Sequence, residues 1–246
     1  MSNPERSSVA VADGAPHTLA MALHLPDGAG RVPCVIACHG LNASKDSDKY
    51  LLLGAEMPTA GLALARFDFR GCGESSGREA ETTIATRIED AEAVWRHLAG
   101  HPRLDGRFAL LGSSLGGFVA LFVAARRPGT AVVTWNAPAG LTELANDDLD
   151  EGRGLGVPFA LEYATGRYAL APRGVPWHLV IHGDADDVVP IDHGGTLHAQ
   201  AAPPCDFVVI EGGDHRLTDP AHRARAVALS RDWFLRRLKG ETHGEP

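Results

Sequence analysis

The stretch "ALLGSSLGGFVA", residues 109–120, runs from one apolar segment through a Gly-Ser turn into a second apolar segment. Residues 112–116 within it fit the spacing G-x-S-x-G, with Ser114 at the centre. Between a strand and a helix, this spacing is typical of a sharp, strained turn that exposes a nucleophilic serine. Ser113 does not fit, since its neighbours two residues away are leucines. The alternative is a Gly-Ser turn without chemistry.

The chain around this stretch repeats one order: a short apolar run, a glycine-rich turn, then a helical period. Several runs are apolar almost throughout, as expected of parallel strands covered on both faces. A hairpin of alternating apolar residues is predicted before them, over residues 9–26, with Asp13-Gly14 as its turn. The six runs are "RVPCVIACHG", "GLALARFDFRG", "GRFALLGSS", "AVVTWNAP", "WHLVIHGD" and "CDFVVIEGG".

Three segments between and after these runs have a helical period. Residues 82–100 end at Gly100, residues 114–129 end at Pro128-Gly129, and residues 219–240 start at Asp219-Pro220 and end at Gly240. Alternating strands and helices imply an α/β fold with a mostly parallel central sheet and helices on both faces. Binding sites in such sheets form at the carboxyl ends of the strands.

Size and composition predict one soluble α/β domain over residues 1–246. The chain is 44% apolar and 22% charged, and its net charge of -8 argues against a nucleic-acid or anionic-membrane partner. The first residues lack a basic segment followed by an apolar one, and no apolar run approaches the roughly 18 residues that span a bilayer. We therefore expect a cytoplasmic protein, and the sequence leaves its oligomeric state open.

The four cysteines form no C-x-x-C pair, which favours buried free thiols over a zinc site or disulfides. A metal site built from His182, Asp184, Asp186 and His193 is a weaker alternative. The glycines of "FRGCGESSG" do not have dinucleotide-binding spacing and predict a tight loop at the edge of the site, with Glu74 and Ser75 as candidate lining residues. The sequence predicts no metal and no cofactor.

The segment from about 137 to 176 interrupts the alternation. It contains four acidic residues between 147 and 151, several glycines and three spaced aromatic residues, Phe159, Tyr163 and Tyr168. A stretch of this length between two strands is predicted to be an insertion that forms a small lid. The alternative is a solvated excursion whose aromatic residues pack locally.

A serine hydroxyl is a weak nucleophile until a base takes its proton, so Ser114 needs partners. Two later turns follow strands and so reach the same sheet edge: "HGDADD", residues 182–187, and "GGDH", residues 212–215. His215 is the candidate base. Four other histidines are weaker candidates because they fall within predicted helices or in the C-terminal tail: His193, His198, His222 and His243.

In the order of these motifs, together with "CHG" and "FDFRGCGESSG" further upstream, the chain resembles the α/β-hydrolase superfamily over nearly its whole length. The resemblance implies Asp186 as the acid, with Asp187 as the alternative, and His215 as the base. It also implies the backbone N–H of Leu41 as one oxyanion donor. The N–H of Leu115 at the start of the helix is the second, by its position after Ser114.

These residues predict a serine carboxylesterase that acts on a small-molecule ester through an acyl-enzyme. The resemblance is strongest to short-chain and cinnamoyl-type esterases, with Trp135, Phe159, Tyr163 and Tyr168 as candidate walls of the acyl pocket. An aminopeptidase or acyltransferase with the same three residues is one alternative. A non-catalytic ligand-binding or scaffold protein of the same fold is the other.

Overall fold

The computed structural model describes residues 3–12, 16–142 and 155–240. In these ranges eight strands form one sheet in the order β1-β2-β4-β3-β5-β6-β7-β8, and β3 to β8 run parallel. The strands are β1 (Glu5–Ala12), β2 (Pro16–His24), β3 (Val32–Cys38), β4 (Ala63–Phe67), β5 (Leu104–Ser113), β6 (Ala131–Trp135), β7 (His178–Gly183) and β8 (Cys205–Ile210).

Six α-helices and one 3-10 turn accompany the sheet in the described ranges. The helices are α1 (Asp48–Thr59), α2 (Ile84–Ala99), α3 (Leu115–Ala125), α4 (Val157–Ala164), α5 (Asp192–Gln200) and α6 (Pro220–Lys239), and the 3-10 turn is Glu79–Glu81. None of these helices is long and apolar enough to cross a membrane.

Both faces of the sheet are covered, which explains why its central strands are apolar almost throughout. In β3, Cys34 and Ile36 belong to the core on the α2 and α3 side. Val35 and Ala37, which alternate with them, belong to the core on the α1 and α6 side. Because successive side chains of a strand point to opposite faces, each apolar residue is buried on one side or the other. The predicted α/β fold is confirmed.

The helix ends follow local chemistry visible in the sequence. The Thr83 hydroxyl accepts the N–H of Thr86 and so caps the start of α2, and α2 ends at Gly100. The Asp219 carboxylate caps α6, and Gly240 ends it with a left-handed φ of 71°. Capping side chains satisfy amides at the start of a helix, and glycine adopts positive φ at its end at little cost.

The predicted hairpin is formed by β1 and β2, which pair antiparallel with Val9 opposite Leu19. β2 also pairs antiparallel with β4 and so joins the hairpin to the parallel part of the sheet. The predicted turn at Asp13-Gly14 lies outside the described residues.

The segment predicted to form a lid, about 137–176, includes residues 143–154, which lie outside the described ranges. Its described part contains α4 and an isolated bridge between Gly140 and Leu170. The Glu162 carboxylate of α4 accepts the N–H groups of Ile84 and Ala85 at 2.6 and 3.0 Å. These amides have no partner within α2, and the carboxylate favours the positive end of that helix. The contact anchors α4 to the start of α2.

Candidate active site

Ser114 lies in the turn between β5 and α3, at the carboxyl edge of the sheet. Its backbone has φ 53° and ψ -130°, a conformation that residues other than glycine rarely adopt. The Ser114 N–H donates to the carbonyl of Trp135 at 2.8 Å, which ties the turn to the end of β6. The strained turn is held by the sheet on one side and the helix on the other.

Two glycines make this turn sterically feasible. A Cβ at Gly112 would lie 2.3 Å from the carbonyl oxygen of Gly116. A Cβ at Gly116 would lie 2.2 Å from the carbonyl oxygen of Cys38. Real Cβ atoms do not approach backbone oxygens this closely, so the glycines of G-x-S-x-G let β5, α3 and the end of β3 pack together.

We expect Gly116→Ala to destabilise the protein by about 3 kcal/mol, because the new methyl group meets backbone that cannot move aside cheaply. Gly195→Ala in α5 is the matched control, since its Cβ has no heavy atom within 4 Å. That change is expected to stabilise the protein by about 1 kcal/mol through helix propensity. Urea unfolding of both variants measures the difference, and equal stabilities would contradict the packing argument.

His215 follows β8 and lies between the serine and a carboxylate. Its Nε2 is 3.1 Å from Ser114 Oγ, and its Nδ1 is 2.8 Å from Asp186 Oδ2. The imidazole is partly exposed, whereas the Asp186 side chain is fully buried. A hydroxyl, an imidazole and a carboxylate therefore lie in one hydrogen-bonded series, in which a proton can pass from Oγ to the ring.

The structure distinguishes Asp186 from Asp187, two adjacent carboxylates between which sequence spacing alone does not choose. Asp186 Oδ1 accepts the N–H groups of Val188 and Val189 at 2.9 and 2.8 Å, whereas Asp187 is exposed. Burial by itself raises the pKa of Asp186, but hydrogen bonds from His215 and from these amides outweigh it and hold the pKa below its ordinary value. Asp186 is therefore ionised at neutral pH and faces the imidazole.

Asn136 positions the His215 loop, a role that no motif in the sequence indicates. Its Nδ2 donates to the carbonyls of Asp214 and His215, both at 2.9 Å, and its Oδ1 accepts the N–H of Gly183 at 2.9 Å. The residue is 1% exposed and has a φ of 50°. The chain adopts this left-handed conformation just after β6, and asparagine tolerates it better than most other residues.

We expect Asn136→Ala to destabilise the protein by about 3 kcal/mol, because one buried and two partly buried backbone groups lose their side-chain partner. We also expect kcat/KM for an ester to fall by about 10- to 100-fold, since the His215 backbone is no longer held. Thermal unfolding and ester kinetics on the folded variant measure the two effects. Wild-type kcat/KM would show that Asn136 does not position the imidazole.

The loop after β3 brings Gly40 close to Ser114, and the next residue, Leu41, lines the same cavity as Ser114. A Cβ at Gly40 would lie 3.0 Å from Ser114 Cβ, so the backbone passes close to the serine here. His39 Nδ1 donates to the Gly40 carbonyl at 2.8 Å while its Nε2 accepts the N–H of Phe69 at 3.1 Å. Burial, together with the Arg87 charge, lowers the pKa of His39 to about 4. This neutral imidazole fixes the loop.

A charge network centred on the buried Lys45 and Asp68 holds the continuation of the same loop. The Lys45 side chain is 1% exposed, and its ammonium donates to Asp68 at 3.1 Å and to Asp46 at 2.8 Å. Lys45 also pairs with Glu74. Ser75 donates to the Asp68 carbonyl at 2.7 Å. Glu74 and Ser75 thus connect loops instead of lining the site as predicted.

A cavity of about 760 Å³ opens beside Ser114 and His215. None of the four predicted aromatic wall residues lines it. Trp135 is buried in the core, where its indole N–H donates to Ser230 Oγ at 3.0 Å. Phe159 and Tyr168 are buried in the other core, and Tyr163 packs against it. Because side chains alternate along β6, Trp135 points to the α1 and α6 face and away from the site.

Aliphatic and charged side chains form the walls instead. The aliphatic ones come from three loops and the start of α3, and the charged ones come from α1, the loops after β7 and β8, and α6. The lining residues are Gly40, Leu41, Asn42, Ala43, Ser47, Asp48, Lys49, Ser113, Ser114, Leu115, Pro138, Gly140, Leu141, Asp187, Val188, Val189, His193, Asp214, His215, Arg216, Thr218 and Arg223. Of the segment predicted as a lid, Pro138, Gly140 and Leu141 reach the cavity.

The side chains of the alternative metal site have other partners. His182 Nε2 donates to the Val189 carbonyl at 2.8 Å, and Asp184 accepts the N–H of Gly212 at 2.6 Å. His193 Nδ1 accepts the N–H of Ala139 at 3.0 Å. In the described part of the chain, no group of three His, Cys, Asp or Glu residues is arranged to hold a metal ion. The four cysteines are free thiols; three are buried and Cys205 is half-buried.

Comparison with known proteins places these features in a family. A family model described as serine aminopeptidase, S33, matches residues 31–150. The uncharacterized protein Rv2307c of Mycobacterium tuberculosis is 32% identical over 226 residues, which cover 89% of this chain and 73% of that protein. The mitochondrial palmitoyl-protein thioesterase ABHD10 of Mus musculus is 24% identical over 222 residues, covering 78% and 72%.

Among solved structures, Est1E from Butyrivibrio proteoclasticus with bound ferulic acid superimposes with a TM-score of 0.82. The two sequences are 20% identical, and the match covers 95% of this chain and 99% of that one. At this identity the likeness concerns the fold.

Proposed function

Because this chain belongs to the α/β-hydrolase superfamily, we propose that it is a serine carboxylesterase that hydrolyses small esters through an acyl-enzyme. The observation that carries the proposal is the hydrogen-bonded series from Ser114 Oγ through His215 to the buried Asp186 carboxylate. The series opens on a cavity of about 760 Å³, a volume within the usual range for small-molecule sites.

In this proposal Ser114 Oγ attacks the ester carbonyl while His215 Nε2 takes the hydroxyl proton. The imidazolium then donates that proton to the leaving alcohol, and an acyl-enzyme remains. Water attacks the acyl-enzyme with His215 again acting as base, which releases the acid and restores Ser114. The ionised Asp186 stabilises the imidazolium and fixes the tautomer in which Nδ1 carries a proton.

The backbone N–H groups of Leu41 and Leu115 are the proposed donors to the tetrahedral oxyanion. Both residues line the cavity beside Ser114. Leu115 is the first residue of α3, so its N–H has no acceptor within the helix and lies at the positive end of the helix dipole. Amides held in place before the reaction stabilise charge that develops in the transition state without a reorganisation cost.

The described part of the predicted lid supports a cover beside the cavity. Pro138, Gly140 and Leu141 line the cavity, and α4 is anchored to α2 through Glu162. We propose that the segment from about 137 to 176 forms this small lid within a single domain. The residues that it contributes to the cavity wall are small and aliphatic. Such a wall suits short acyl chains better than a wall of stacked aromatic rings would.

The test is a substrate profile of the purified wild-type protein. We expect turnover of 4-nitrophenyl esters from acetate to hexanoate, with lower kcat/KM for decanoate and for methyl ferulate. Aminoacyl 4-nitroanilides test the aminopeptidase alternative, a palmitoyl thioester tests thioesterase activity, and transfer to an added alcohol tests acyltransferase activity. Amide cleavage that exceeds ester cleavage would replace the carboxylesterase proposal.

A fluorophosphonate probe separates an enzyme from a non-catalytic binding protein of the same fold. The probe phosphonylates only a serine that is activated by a base, so we expect stoichiometric labelling of the wild-type protein. An unlabelled protein that turns over none of these substrates would support the ligand-binding or scaffold alternative.

A further inference from the structure

Three cationic side chains line one wall of the cavity, and the proposed hydrolysis uses none of them. Lys49 comes from the first turn of α1, Arg216 directly follows His215, and Arg223 comes from α6. Lys49 is far from the two arginines in the sequence, and only the fold brings it to the same wall.

Lys49 has the most unusual surroundings of the three. Its side chain is half-buried, and its Nζ donates to Ser113 Oγ at 2.7 Å. Among the described residues it forms no ion pair with a carboxylate. Burial and the charges of Arg216 and Arg223 lower the pKa of Lys49 to about 8, although Asp214 and Asp186 act in the opposite direction. The positive charges of Lys49 and the two arginines thus lie near one another, and the nearby carboxylates do not fully compensate their repulsion.

The carboxylates of the cavity are largely engaged elsewhere. The Asp214 carboxylate accepts two hydrogen bonds from Thr218, one from its backbone N–H at 2.7 Å and one from its side-chain hydroxyl. Asp48 is 78% exposed and lies 3.4 Å from Arg223. Arg223 also donates to the carbonyls of Leu217 and Thr218, which fastens it to the His215 loop. The third carboxylate of the lining, Asp187, is exposed. Among the described residues, Lys49 and Arg216 are the cations of this wall that form no ion pair with a carboxylate.

This wall lies on the side of His215 from which an alcohol would leave. The leaving oxygen must receive its proton from His215 Nε2, so the rest of the alcohol lies near the His215 loop. Arg216 belongs to that loop, and Lys49 contacts the residue that precedes Ser114. A negative group on the alcohol would therefore meet these cations, and in a half-buried site such a pair is strengthened by the reduced dielectric.

We propose that the natural substrate is an ester whose alcohol half carries an oxyacid anion, a carboxylate or a phosphate, bound by Lys49 and Arg216. The inference rests on the proposed esterase function and narrows its substrate class. Three protons on the ammonium leave donors for an anion beyond the one given to Ser113. Arg216 is exposed and supplies a guanidinium fork at the mouth of the cavity.

The experiment compares acetate esters that differ only in the charge of the alcohol. We expect kcat/KM for 4-acetoxybenzoate to exceed that for the isosteric 4-acetoxybenzamide by about tenfold, the size of one charge-assisted hydrogen bond. 4-Acetoxyphenyl phosphate distinguishes phosphate from carboxylate preference. A second pair of esters tests a carboxylate in the acyl half instead. It compares the half-ester of suberic acid and 4-nitrophenol with 4-nitrophenyl octanoate.

Variants of Lys49 and Arg216 test whether the preference for the anionic alcohol depends on this wall of the cavity. In Lys49→Met and in Arg216→Gln the benzoate-to-benzamide ratio is expected to fall towards one, whereas Lys49→Arg keeps most of it. Arg236→Gln, an α6 arginine outside the cavity lining, is the control and keeps the wild-type ratio. The exposed Arg216 can be replaced without loss of folding, so a misfolded Lys49 variant does not remove the test.

A binding measurement does not depend on turnover. Calorimetry on Ser114→Ala is expected to show tighter binding of 4-hydroxybenzoate or phenyl phosphate than of 4-hydroxybenzamide, with a difference that shrinks as sodium chloride is added. A wild-type ratio near one, a preference only for the suberate half-ester, or equal loss on both acetates in Lys49→Met would overturn the inference. Anion binding without any ester hydrolysis would overturn the proposed function, and with it the ester substrate, and would leave only an anion-binding site at Lys49 and Arg216.

Discussion

Replacing Ser114 with alanine is expected to reduce kcat for ester hydrolysis by about 10⁶-fold, as loss of the nucleophile does in a comparable serine–histidine–aspartate unit. The variant keeps the turn, His215 and the backbone amides but has no oxygen to form an acyl-enzyme. Fluorophosphonate labelling is expected to disappear with the activity. Intact labelling of Ser114→Ala would place the nucleophile at another residue.

Ser113→Ala is the matched control, since the two serines are adjacent. Ser113 is 1% exposed, and its hydroxyl accepts from Lys49. We expect this variant to be labelled, because Ser114 and His215 are unchanged. Ser114→Gly adds a second readout: glycine adopts φ 53° without strain, so this inactive variant is expected to be about 1 kcal/mol more stable than Ser114→Ala.

Asp186→Asn is expected to lower kcat by about 10⁴-fold while leaving the fold intact. An amide at this position does not stabilise the imidazolium and favours the wrong tautomer of His215. The two backbone amides that Asp186 accepts still find a side-chain oxygen, so we expect a small change in unfolding temperature. Steady-state ester kinetics and thermal unfolding measure these effects on the same preparation.

Asp187→Asn is the paired variant and is expected to change kcat by less than about threefold, as for exposed charges that contact no reacting group. It removes one negative charge from the same turn, so it controls for electrostatics at a distance. A larger loss in Asp187→Asn than in Asp186→Asn would move the acid by one residue.

Much of the backbone could be predicted because its determinants are local. Gly112 and Gly116 are separated by the few residues of one turn, and their spacing alone singles out Ser114 over Ser113. The ends of α2 and α6 follow from Thr83 and from Asp219 with Gly240, which act within one helical turn. Continuous apolar runs likewise indicate strands that are covered on both faces.

The walls of the cavity could not be predicted in the same way. Trp135 is the last residue of β6, at the sheet edge that carries the site, yet the alternation of side chains along β6 directs it into the core. The aromatic residues in and after α4 are spaced four and five residues apart, but Phe159 and Tyr168 are buried in the core on the α2 and α3 side, and Tyr163 packs against that core. Composition cannot separate an aromatic residue that packs the core from one that binds a ligand.

By itself the sequence determined the class of fold, the strained turn that carries Ser114, and the sheet edge at which His215 would meet it. Only the tertiary structure showed that Asp186, and not Asp187, faces His215, revealed the contacts of Asn136, and brought Lys49 Nζ within 2.7 Å of Ser113 Oγ. The physical reason is distance along the chain. Turn and cap geometry depend on neighbours in sequence, whereas each of these contacts joins segments whose separation is closed only when the sheet assembles.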